Sequence, residues 1–89
     1  MPKAEISWKR DADDGVKLQV YARHVGREWK FFHREKRFDV WQPVLEPPLE
    51  DWLALLDAIR RLVNRRRYKP VDEERLCGQI RERFPEAEI

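Results

Sequence analysis

Lys17, Tyr21, Arg23, Lys30, Phe32, Arg34 and Trp41 mix cations with flat rings over a short stretch of chain. Cations neutralise phosphates and aromatic faces accept stacked bases, so this is the mixture that single-stranded nucleic acids favour. The chemistry requires all seven on one surface. Two other uses compete with it. An antiparallel sheet with one wet face carries Lys or Arg beside rings for cross-strand and cation–π stabilisation. An exposed aromatic group rimmed by charge is also how protein interfaces and homodimer faces look. Arg65, Arg66, Arg67 and Lys69 form a second basic cluster. They could hold phosphates, or simply complement the negative end of a helix while staying solvated.

Other reactive side chains point away from catalysis. Cys77 has no histidine near it in sequence to act as a base, and between Leu76 and Gly78 it is expected to be a compact buried residue. His24 and His33 are expected at the core side or rim of a sheet, and with one cysteine they make no metal set. The carboxylates of Glu50, Asp51, Asp72, Glu73 and Glu74 fall at expected helix starts, where dipole and capping account for them. There is no Walker loop, dinucleotide fingerprint, nucleophile elbow or zinc-protease helix, and no RRM, KH or zinc-finger signature. A non-enzymatic binding module with no cofactor and no metal is expected.

The chain has 89 residues, 42% of them apolar and ten aromatic, which suits one folded domain with one core. The single cysteine excludes an internal disulfide and fits a reducing compartment. No apolar run approaches the roughly 20 residues that span a bilayer, and Met1-Pro2-Lys3 is not followed by a signal-peptide core. A cytoplasmic protein without a membrane segment is expected. Net charge is only +2, yet residues 16–37 hold seven cations against two carboxylates and residues 71–89 three against six. The charge is therefore segregated along the chain.

The elements that must position the seven residues come from periodicity. Residues 4–10 alternate, with Ile6 and Trp8 on one side and Glu5, Ser7 and Lys9 on the other. Asp14-Gly15 reverses the chain, and Gly26-Arg27 reads as a two-residue hairpin turn between Val16–Val25 and Glu28–Glu35. That turn pairs Val25 with Glu28 and Tyr21 with Phe32. Leu18, Val20, Ala22, His24, Trp29, Phe31 and His33 then share the core face, and Lys17, Gln19, Tyr21, Arg23, Lys30, Phe32 and Arg34 the outer face. A further turn at Glu35-Lys36 would set Phe38 opposite His33 and Val40 opposite Phe31, leaving Asp39 and Trp41 outside.

Pro43, Pro47 and Pro48 end the sheet, which spans about residues 4–43. A helix over about 48–67 carries Leu49, Trp52, Leu53, Leu56, Ile59, Leu62 and Val63 as one apolar stripe. A second helix over about 72–84, with Asp72 as N-cap and Gly78 mid-helix, carries Leu76, Ile80 and Phe84. The expected fold is α+β, a four-stranded antiparallel meander followed by two helices on one sheet face (ββββαα), in a single domain over 1–89. The order of four strands and then a helix opening near Pro47-Pro48-Leu49-Glu50-Asp51-Trp52-Leu53 resembles the ββββα unit of whirly-like single-stranded DNA-binding folds, including Pur-type repeats, over roughly residues 4–67. The resemblance implies single-stranded nucleic-acid binding and a tendency to dimerise through a sheet face or helix edge. The helix over 72–84 has no counterpart in it.

Overall fold

The structure is a computed structural model and describes residues 5–12, 14–26, 28–36 and 39–89. It is an α+β chain in the order β1 (Glu5–Asp11), β2 (Lys17–Val25), β3 (Glu28–Arg34), β4 (Gln42–Val44), α1 (Leu49–Asn64) and α2 (Pro70–Arg83). Two compact units divide at Pro47 and Pro48, one holding the strands and the other the helices.

The strands form one antiparallel sheet in the order β1-β2-β3-β4. Gly15 takes φ +83° and donates its N–H to Ala12 O at 2.9 Å, while Asp14 Oδ1 accepts from Val16 N at 3.1 Å. This is the local chemistry expected of Asp-Gly. Gly26 likewise takes φ +63°; Arg27 lies outside the described residues. β2 and β3 pair as the hairpin spacing predicts, with Val25 opposite Glu28, Tyr21 opposite Phe32 and Ala22 opposite Phe31. Leu18, Val20, Ala22, Trp29 and Phe31 are buried, and Trp8 meets Phe31 edge to face at 6.1 Å between ring centres. His24 stacks on Trp29 at 4.5 Å, as a rim histidine.

The last strand departs from expectation. Gln42, not Phe38, lies opposite His33, and Val44, not Val40, lies opposite Phe31. Phe38 itself lies outside the described residues, and Val40 is 77% exposed rather than on the core face. Glu35-Lys36 lacks the residue types that favour the positive φ angles of a two-residue hairpin turn. A wider loop forms instead, in which Asp39 donates its N–H to Lys36 O at 2.9 Å and its Oδ2 accepts from Lys36 N at 3.1 Å. Pro43 takes the middle position of the three-residue β4.

In the helical unit Trp52, Leu55, Leu56 and Ile59 of α1 and Leu76, Cys77 and Ile80 of α2 are buried. Leu55 replaces Leu53 in the expected stripe, since Leu53 is 39% exposed. Asp51 is buried in the first turn of α1, where a carboxylate meets the positive end of the helix. Arg60 Nε reaches Glu73 Oε2 at 3.3 Å, and the Arg83 guanidinium lies 5.3 Å from the Trp52 ring centre, tying α1 to α2.

Both inner helix ends are corrected. α1 stops at Asn64 rather than near Arg67, because Arg66 takes φ +61° and donates to Val63 O at 2.9 Å, while Arg67 donates to Leu62 O at 2.8 Å. This is the Schellman ending, with arginine where glycine is the usual residue. α2 opens at Pro70, not after Asp72, because proline lacks an N–H and fits the first helical position. Asp72 therefore acts from inside the first turn, its Oδ2 accepting from Lys69 N at 2.9 Å.

Candidate functional site

The outer sheet face is ordered in rows that cross the strands. The strand registers align Ser7, Tyr21, Phe32 and Pro43 in one row. On one side of it runs the row Glu5, Arg23, Lys30, and on the other the row Lys9, Gln19, Arg34, with Asp11 and Lys17 beyond. Side chains two residues apart along a strand stand on the same face about 7 Å apart. An apolar band is thus flanked on both sides by cations.

The rings are in contact. Tyr21 and Phe32 stack at 4.8 Å between centres with 14° between planes, as cross-strand neighbours can. Trp41 meets Tyr21 edge to face at 4.6 Å and 87°. Trp41 precedes β4 and reaches this face although its strand is displaced, because moving the register by four residues preserves which residues face outward. Arg34 covers Trp41 at 4.2 Å from the ring centre and donates from Nε to Gln19 Oε1 at 2.8 Å. All three rings are half-buried against one another rather than sealed in the interior.

The cations differ in what holds them. Arg34 is pinned by a ring and an amide, and Arg23 Nε lies 4.0 Å from Glu5 Oε1. Lys17 and Lys30 are exposed and make no ion pair with any described residue. Glu5, Ser7, Lys9, Gln19 and Pro43 also occupy this face. Of these, Glu5, Ser7 and Lys9 come from β1, whose register against β2 a five-residue reversal leaves open in the sequence. Shallow hollows flank Trp41, one of about 460 Å³ lined by Glu5, Ser7, Tyr21 and Trp41, the other of about 410 Å³ with Lys9, Gln19 and Arg34 on its wall.

Arg65, Arg66, Arg67 and Lys69 lie apart from this face in sequence, in the α1–α2 connection, and all are exposed. Their backbones close α1 and open α2, so they do not sit in the last turn as expected; Arg61 does. Cys77 is a buried free cysteine. Among the described residues no group of three or more His, Cys, Asp or Glu could hold a metal ion, and no helix is long and apolar enough to cross a membrane. The chain matches no family model, no curated protein and no solved structure.

Proposed function

We propose that this chain is a non-enzymatic binding module whose outer sheet face takes a single strand of DNA or RNA. The observation that carries the reading is the contiguous Tyr21–Phe32–Trp41 group with cation-bearing rows on both sides. Bases would stack on the ring faces left open, and Lys17, Arg23, Lys30 and Arg34 would neutralise the phosphates on either flank. Lys30 and Lys17 are the cations with most to gain, because neither is held in an ion pair with any described residue. The topological likeness to whirly-like folds points the same way by analogy only.

Titrating salt against the chain with labelled single-stranded DNA and RNA tests this. Four phosphate contacts give a slope of about −3 in log affinity against log salt. Lys30→Glu is expected to flatten that slope by about one and weaken binding, and Trp41→Ala to weaken binding without changing the slope. Absence of binding at low salt, or binding indifferent to both substitutions, removes the reading.

A protein interface on the same face has its own supporting observation. Tyr21 and Phe32 turn faces toward each other and Arg34 covers a face of Trp41, so part of the stacking surface is already taken. Trp, Tyr and Arg packed in this way are the residues that dominate binding hot spots. Capture of a protein partner that is lost on Trp41→Ala, with no affinity for single strands, would favour it.

A further inference from the structure

β1 ends the sheet, bonded to β2 and, among the described residues, to no other strand. The direction of its free backbone groups follows from the turn. Ala12 donates its N–H to Val16 O at 2.8 Å, and the ladder continues with Arg10 opposite Leu18, Trp8 opposite Val20 and Ile6 opposite Ala22. In an antiparallel pair, residues that exchange hydrogen bonds alternate with residues that do not. The even-numbered residues of β1 therefore bond to β2, and the N–H and C=O groups of Glu5, Ser7, Lys9 and Asp11 point to the open edge.

We infer that β1 pairs with β1 of a second copy of this chain, antiparallel about a two-fold axis at Ser7. The side chains choose that register. Centred on Ser7, Glu5 of each copy lies opposite Lys9 of the other, and Ile6 opposite Trp8. Centring on Trp8 would oppose Glu5 to Asp11, two carboxylates, and centring on Lys9 would oppose two lysines; like charges directly opposite are unfavourable. The Ser7 register also matches the free backbone groups, since Ser7–Ser7 and both Glu5–Lys9 pairs become hydrogen-bonded pairs. Charges usually protect an exposed edge strand from pairing. Here they complement themselves.

A two-fold axis through paired strands keeps like faces on one side, so the outer faces join. The row Pro43–Phe32–Tyr21–Ser7 meets its own copy at Ser7, and each Lys9–Gln19–Arg34 row runs into the Glu5–Arg23–Lys30 row of the other copy. Eight strands at about 4.8 Å spacing give a surface about 34 Å across. The inference stands whatever that face binds.

Sedimentation equilibrium of the full chain from micromolar to millimolar concentration is the test. The chain is expected to dimerise. Glu5→Lys and Lys9→Glu should each weaken the dimer by about tenfold, since each reversal acts on two symmetric pairs, and the double variant Glu5→Lys/Lys9→Glu should restore it to within about threefold. Ser7→Pro removes an N–H that β2 does not use and is expected to be a monomer with the circular dichroism of the parent. If Ser7→Pro does not fold, the charge exchange alone decides. A chain monomeric throughout, a dimer that survives a folded Ser7→Pro, or a double reversal no tighter than the single ones overturns the inference.

Discussion

The guanidinium of Arg34 lies 4.2 Å from the ring centre of Trp41 and donates to Gln19 Oε1 at 2.8 Å. One side chain thus ties the segment before β4 to β3 and β2. Arginine can stack on a ring and donate from its fork at once; lysine is a point charge without the planar group. Arg34→Lys, which keeps the charge, is expected to cost about 0.5–1 kcal/mol in urea denaturation. At the proposed single-strand site it is also expected to weaken binding while leaving the salt slope unchanged. A variant as stable as the parent would show that the contact does not hold Trp41.

Two tryptophans should differ in what their truncation costs. Trp52 is 1% exposed in the helical core, so Trp52→Ala is expected to cost about 3–5 kcal/mol, a large share of the total for a chain this small. Trp41 is half-buried among surface rings, and Trp41→Ala is expected to cost about 1 kcal/mol. Denaturation followed by far-ultraviolet circular dichroism separates the two. Equal losses would mean that Trp41 is a structural residue rather than part of a surface.

Two backbone positions carry residues of the wrong freedom, and exchanging them should stabilise the chain. Arg66 holds φ +61° at the end of α1, where a side chain is strained and glycine is not. Gly78 lies within α2, and a Cβ there meets nothing within 4 Å. Arg66→Gly and Gly78→Ala are each expected to add about 0.5–1 kcal/mol, and nearly to add together. Thermal melts of the two single variants and the pair check this.

Burial, and then the Asp72 carboxylate, push the Tyr68 phenol above its ordinary value of 10.0. Its folded value exceeds its unfolded one, so its contribution to stability is fully present below the unfolded value and is lost as pH rises through the folded value. In a Tyr21→Phe background, absorbance at the phenolate band should give a midpoint above 10 for Tyr68. Adding Asp72→Asn should lower that midpoint partway, leaving the part due to burial.

Much of the outer face was legible because strand alternation and Gly26 together specify the β2–β3 register, which sends Lys17, Tyr21, Arg23, Lys30, Phe32 and Arg34 outward as a set. The β4 register was not legible. Glu35-Lys36 carries no turn signal, and the Asp39–Lys36 hydrogen bonds that shape the wider loop have no simple sequence mark. Trp41 came out on the expected side because the displacement was even. In α1 the leucines at 53, 55 and 56 satisfy more than one helical stripe, and packing chose Leu55 over Leu53. The αL ending at Arg66 was hidden because arginine does not advertise that conformation.

Pro43 gives the two margins of the sheet different fates. Gln42 and Val44 are the β4 residues that face His33 and Phe31 in the step that bonds to β3, so the amide that would look outward from β4 is the one proline lacks. A sheet joined through β1 would present only this blunted strand at each extremity. Growth would stop at a closed pair, and the chain would be spared the open-ended stacking that leads to fibrils.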